Sequence, residues 1–193
     1  MTRHEQTREK ILGVAREMAL ESGPAQLSLR KVAAAAGFSP SSIYEYFESK
    51  EEIVQTLAEN AIAQLDALMA KVPKSLSAPS RLTRFAACYI SFARKQPEDF
   101  LLAFYRLPSG RTSPEQSVSG TPYGRLLEAV RDGIEDGSFT PQDPETIAYG
   151  AWALAHGLAI LQVTHLKNYD MNFNKADKLI IAAWIAGFGA GKK

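Results

Sequence analysis

At 193 residues, with 46% hydrophobic and 22% charged residues, the chain is long enough to bury one substantial core, or a small domain beside a larger one. Its formal net charge of +1 excludes a polybasic coat protein, so any affinity for nucleic acid must come from a local footprint rather than a global field. The lone cysteine, Cys88, excludes an intrachain disulfide and suits a reducing compartment.

The first residues are polar and mixed in charge (Arg3, Glu5, Arg8, Glu9, Lys10) and contain no apolar export segment, which sets the expectation of a cytoplasmic protein. Thr2 and Glu5 have the spacing of a capping box, and Ile11, Leu12, Ala15, Met18 and Ala19 recur with helical period. Ser22-Gly23-Pro24 ends that helix.

Residues 27–52, LSLRKVAAAAGFSPSSIYEYFESKEE, carry the densest signals. Ser28 is placed to cap a short helix with Val32, Ala33 and Ala36 on one face, and Gly37 falls where a left-handed residue ends it. Ser39 is placed to cap a second helix with Pro40 at its first position, where the missing N–H costs nothing. Ser49 and Glu52 are spaced as a capping box that opens a third helix. Two short helices joined by a tight glycine-containing turn form a helix-turn-helix, which sets its second helix in the DNA major groove.

The run Arg30-Lys31-Val32-Ala33, Ala36-Gly37-Phe38-Ser39 and Ile43-Tyr44-Glu45-Tyr46-Phe47-Glu48-Ser49-Lys50-Glu51 resembles the TetR family of bacterial transcriptional regulators. The aromatic pair Tyr44 and Phe47, the Gly37 turn and the Ser49-Lys50-Glu51 cap all fall in register. Tyr46 departs from the histidine that many members carry, but a phenol still hydrogen-bonds phosphate. The resemblance implies DNA contacts at Arg30, Pro40, Ser41, Ser42, Tyr44, Tyr46 and Lys50. It also implies a helical body that binds a small molecule and forms a homodimer.

The residues themselves give a parallel reading. Ser41, Ser42 and Glu45 point away from the packing face of Ile43 and Phe47, and hydroxyls near a helix N-terminus approach phosphates or base edges closely. Tyr44 and Tyr46 are phosphate donors, Lys50 and Arg30 are cations beside the backbone, and Glu45 could accept from a cytosine amino group. Plainer readings stand beside these: Tyr44 as a core aromatic, Lys50 as a solvated residue of a capping turn, Glu45 as merely exposed. Residues 1–50 hold seven basic and six acidic side chains, a weak balance for a DNA binder. Arg3 and Arg8 are further candidates for phosphate.

Downstream, the pattern predicts a long helix over 50–69, with Ile53, Val54, Leu57, Ala61, Leu65 and Leu68 facing inward, then a breaker-rich joint over 71–80. Helices follow over 81–95, 98–105 and 123–135, with a Ser-, Gly- and Pro-rich mobile loop over 107–121. Asp143-Pro144 opens a helix that contains the apolar run 147–163, and a last helix spans 175–187. That apolar run is near the lower length limit for a membrane span. His156, its Ala- and Gly-rich composition and the lack of flanking basic clusters favour a helix buried in the core or in a dimer. No stretch alternates long enough to be a strand. The expected fold is all-α, with a helix-turn-helix domain over 1–50 and a helical ligand-binding and dimerisation domain over 51–193.

In the second body, Phe85, Tyr89, Phe92, Phe104, Tyr123, Trp152 and His156 could line an apolar pocket with a few polar handles, although core packing is open to each. Trp152-Ala153-Leu154-Ala155-His156-Gly157 looks like a signature of one Trp-His-Gly subgroup of TetR-like C-terminal domains. Gly150, Ala151, Ala155, Gly157 and Ala159 permit close helix approach, with Ile181, Trp184, Ile185 and Phe188 as bulk to pack on them. These are the expected dimer interface, unless both helices close the subunit's own core. With three histidines, one cysteine and no metal-spaced cluster, the sequence argues against an enzyme and implies no cofactor or metal. The expectation is a DNA-binding regulator, probing a palindromic operator as a dimer and released by a largely apolar effector. A ligand carrier and a constitutive DNA binder are the alternatives.

Overall fold

The computed structural model describes residues 1–104 and 120–189, all of whose regular elements are helical. In chain order these are α1 (Arg3–Ser22), a 3₁₀ turn η1 (Pro24–Gln26), α2 (Leu29–Ala36), a second 3₁₀ turn η2 (Ser42–Glu45) and α3 (Lys50–Met69). They continue with α4 (Ala78–Lys95), α5 (Pro97–Ala103), α6 (Pro122–Glu135), α7 (Pro144–Val163) and α8 (Phe173–Ala186). The only sheet-like feature among the described residues is an isolated bridge between Phe139 and Gly189.

The caps explain the boundaries. Thr2 and Glu5 form the full capping box at α1, and Asp143 accepts from the N–H groups of Glu145 and Thr146 at α7. Ser28 accepts from the Lys31 N–H, and Gly37 ends α2 at φ 79°, ψ 31°. The Phe38 N–H reaches the Ala33 carbonyl at 2.8 Å and the Gly37 N–H reaches Ala34 at 3.2 Å, so the end of α2 is a Schellman motif. Two expectations shift. Proline occupies the first turn of both α4 (Pro79) and α5 (Pro97), where no N–H is needed, so these helices start earlier than the breaker residues suggested. The 107–121 loop lies, up to residue 119, outside the described residues, as does Tyr105.

Two compact units emerge. The first comprises Met1–Ala61 and the segment that begins at Glu98, and the second comprises Ile62–Pro97 and the C-terminal part of the chain. In the first, Ile11, Leu12, Ala15, Val32, Ala33, Ile43 and Phe47 pack with Ile53, Val54 and Leu57 of α3 and Leu102 of α5. Because those α3 residues belong to the N-terminal core, the packing boundary falls further along α3 than residue 50. Arg16 of α1 clasps Asp99 of α5 with two bonds, 2.6 and 2.7 Å, from Nε and Nη2.

In the second unit, α4, α6 and α7 pack on one another and α8 closes against α4 and α7. Met69, at 2% exposure, takes the inward position expected of Leu68, which is 37% exposed. Arg94 of α4 binds Gln162 of α7 at 2.7 Å and Asp177 of α8, while Gln162 also donates to Asp177 at 2.9 Å. Burial pushes the Asp177 carboxyl above its ordinary value, against the pull of Arg94. Helix α7 is long and apolar enough to cross a membrane by composition, and only 33% of its most apolar stretch is buried within the chain.

Candidate functional site

In the first unit the reading segment is shorter than a helix. After the Gly37 turn, Ser39 Oγ accepts from the Ser42 N–H at 3.1 Å, the capping role expected of it, and lies 2.9 and 2.6 Å from the hydroxyls of Ser41 and Ser42. The chain then makes a single 3₁₀ turn. Within it, Ile43 and, just beyond, Phe47 are buried at 0% and 1% exposure. With those two turned inward, Pro40, Ser41, Tyr44, Glu45 and Glu48 face solvent, and Tyr44 is 58% exposed. Tyr44 is therefore not a core aromatic. Arg30 stands exposed in the first turn of α2, and Ser42 is half-buried.

Tyr46 is held by its ring. His4 of α1 stacks on it at 4.7 Å between centroids, and Phe38 lies against it at 6.1 Å. The Lys50 ammonium donates to the Ala25 carbonyl of η1 at 3.3 Å, so it ties the start of α3 to the turn before α2. Arg8 lies over the Phe47 ring at 4.4 Å and bonds Glu52 at 3.1 Å. That corrects the expectation of Arg8 as a loose phosphate ligand: it is part of the head's frame. Glu52 likewise completes only half of a capping box. Its N–H is capped by Ser49 at 3.1 Å, but its carboxylate takes the Glu48 N–H at 2.7 Å. Among the first fifty residues, Arg3, Lys10, Arg30 and Lys31 remain as exposed cations with no described ion pair, Lys10 lying over the Phe38 ring at 5.4 Å.

In the second unit a small, partly open cavity lies between α4, α6, α7 and α8, with Met69 of α3 at its wall, leaving about 20 Å³ for a water-sized sphere. Phe85, Tyr89 and Trp152, three of the candidate pocket residues, are in its lining. The Tyr89 hydroxyl is 2.8 Å from His156 Nδ1 and accepts from the Trp152 indole N–H at 3.3 Å. Burial pushes the Tyr89 phenol far above its ordinary value and lowers that of His156, so both are neutral near pH 7. Tyr123 sits at the outer side of Trp152, with 5.9 Å between ring centroids. Phe92 is a fully buried core residue, and Phe104 lies in the first unit against Phe100 at 5.1 Å, so neither lines this cavity.

The expected dimer residues pack within their own unit. Ala151, Ala155, Ile181, Trp184 and Ile185 line the cavity of their own unit, Ala159 is fully buried, and Phe188 packs on Trp184 at 4.8 Å. They close the subunit's core because α7 is apolar on every side and its small residues receive α8: a Cβ on Gly150 would meet Trp184 Cζ2 at 2.8 Å. The outward apolar side of these helices is carried instead by Tyr149, Trp152, Leu161, Leu179 and Ile180, which are 37% to 70% exposed. Sequence patterning did not single out Tyr149, Leu161, Leu179 or Ile180, nor the contacts that His4, Phe38 and Asp99 make. No group of three or more metal-ligating side chains occurs among the described residues.

Two family models match the chain. One, described as bacterial regulatory proteins of the tetR family, covers residues 11–57, and the other, a tetracyclin repressor-like C-terminal domain, covers residues 82–183. Solved structures share the architecture. A protein of unknown function from Rhodococcus sp. RHA1 is 22% identical, with TM-score 0.79 over 95% of each chain. A tetR-family regulatory protein from Rhodococcus RHA1 is 17% identical, with TM-score 0.72 over 100% of each. The fatty acid degradation regulator FadR from Bacillus halodurans is 16% identical, with TM-score 0.68 over 92% of this chain and 94% of its own.

Proposed function

The chain belongs to the TetR family of bacterial transcriptional regulators, and from that premise we propose that it is a repressor that binds a palindromic operator as a homodimer and is released by a small, largely apolar effector. It is a DNA-binding regulator of helix-turn-helix type and not an enzyme. The observation that carries the reading is the solvent-facing surface of Pro40, Ser41, Tyr44 and Glu45 over the buried Ile43 and Phe47. With Arg30, Ser42, Tyr46 and Lys50, these residues offer hydroxyls, phenols and cations of the kinds that contact DNA phosphates and base edges. The exposed apolar stripe of α7 and α8 supports a homodimer, since such a surface is costly to leave in water. A two-fold dimer reads half-sites about 34–36 Å apart, or a multiple of that. The cytoplasm is where such a protein meets DNA.

Helix α3 carries the chain from the reading head into the effector unit. An effector that binds more tightly to a DNA-incompetent arrangement lowers operator affinity by the difference in its two binding free energies. Tyr44→Ala tests the reading directly, because the side chain is exposed and its loss should leave folding intact. Operator binding should fall at least tenfold while small-molecule binding to the second unit is unchanged. Small-molecule binding without specific DNA binding by the unaltered chain would instead identify a ligand carrier.

A further inference from the structure

We propose that the cavity of the second unit takes an uncharged, ring-containing molecule bearing a hydroxyl or carbonyl group, recognised through the Tyr89 hydroxyl and the Trp152 indole N–H. This rests on the reading of that cavity as the effector site.

The lining decides the bulk of the ligand. Phe85, Tyr89, Trp152 and Trp184 present rings, and the remaining wall is aliphatic. No Lys, Arg, Asp or Glu is among the described lining residues. Among the described residues, the buried and part-buried guanidiniums of this unit each pair with a carboxylate: Arg81 with Asp132 at 2.7 Å, Arg94 with Asp177, and Arg125 with Asp66 at 2.6 and 2.9 Å. A carboxylate entering the cavity would lose its water and meet no cation among the described lining residues. An ammonium would likewise meet no carboxylate among the described lining residues.

The polar handle decides the functional group. If the phenol proton goes to His156 Nδ1, the Tyr89 oxygen is an acceptor shared with the long 3.3 Å contact from Trp152. A ligand hydroxyl can donate to that oxygen in place of the indole. A ligand carbonyl can instead accept the N–H that Trp152 releases. The space holds about one water, so any ring must push side chains outward as it enters. Met69, with several rotatable bonds, is the wall residue best able to yield.

The test is calorimetric titration at pH 7 with three probes on one ring system: 2-naphthol, naphthalene-2-carboxylate and naphthalene. The full chain should bind 2-naphthol at least tenfold more tightly than the carboxylate. Tyr89→Phe should weaken 2-naphthol by roughly three- to tenfold, the range of one net hydrogen bond, and leave naphthalene unchanged. Trp152→Phe keeps a ring and removes the N–H, and serves the same purpose if Tyr89→Phe fails to fold. Carboxylate binding equal to or tighter than naphthol, equal losses for naphthol and naphthalene, or no binding of any probe would overturn the inference. Operator binding measured alongside separates the two claims. Selective naphthol binding without any effect on DNA leaves this site standing and removes the effector reading.

Discussion

The Arg16–Asp99 clasp makes an asymmetric prediction. Its two bonds, 2.6 and 2.7 Å, join a guanidinium that is 42% exposed to a carboxylate that is only 9% exposed. Asp99→Ala removes the buried partner and leaves Arg16 free to rehydrate from a side chain already half in water. Its cost should be the net worth of hydrogen bonds to a charged group, roughly 1.5–3 kcal/mol. Arg16→Met does the reverse: it leaves a carboxylate buried without a cation, at roughly 3–5 kcal/mol, with the aliphatic packing of the stem largely kept. Urea unfolding followed by far-ultraviolet circular dichroism gives both values from the midpoint and slope. Arg16→Met should be the more destabilised by at least about 1 kcal/mol. An equal cost, or a larger one for Asp99→Ala, would refute the reasoning from burial and mean that the clasp is worth only its geometry.

Three further outcomes follow from the same geometry. Ala at position 133 ordinarily gains roughly 1 kcal/mol of helix propensity over Gly. Here its Cβ would lie 2.4 Å from Phe139 Cδ2 and 2.6 Å from Ala78 Cβ, both buried, so Gly133→Ala should be net destabilising by roughly 1–3 kcal/mol in the same urea assay. Because Arg8 and Arg16 are committed to ion pairs, the slope of log affinity against log salt should be shallow, about −0.9 for each phosphate neutralised, and nearer two or three phosphates per subunit than six. The lowered His156 value means that the unfolded chain binds the extra proton first. His156 therefore contributes stability above its unfolded value of about 6.5 that is lost as pH falls through the folded value, and His156→Gln should flatten the stability profile on that acid side.

Much of the reading head was legible because its signals are local. Caps, a left-handed glycine and a proline at a first turn depend on residues two to four apart, and Thr2, Ser28, Gly37, Ser39 and Asp143 all act as their sequence context suggests. The inward set of α3 was legible up to Leu65, and it slipped by one residue at the last turn, where Met69 replaces Leu68. What patterning could not supply is partner choice. Periodicity marks an apolar face but does not say whether it meets a neighbour in the same subunit or another chain. On α7, which is apolar all round, that ambiguity is complete, and Ala155, Ile181 and Ile185 line a cavity rather than an outer surface. Long-range polar pairs were equally silent. Arg8 with Glu52 and Arg16 with Asp99 are charges that in sequence look like any solvated helix face. The same holds for His4 on Tyr46, where stacking depends on how α1 crosses the reading turn.

The central claim is that the outward face of residues 40–50 reads DNA sequence in a two-fold arrangement. The most direct measurement is to incubate the purified protein with a pool of random double-stranded DNA at moderate salt, recover the bound fraction over several rounds and sequence it. The account predicts an enriched inverted repeat with half-site centres about 34–36 Å apart, or a multiple of that, and no such enrichment with Tyr44→Ala. A folded protein that retains DNA without sequence preference, or retains none with and without 2-naphthol, would contradict it.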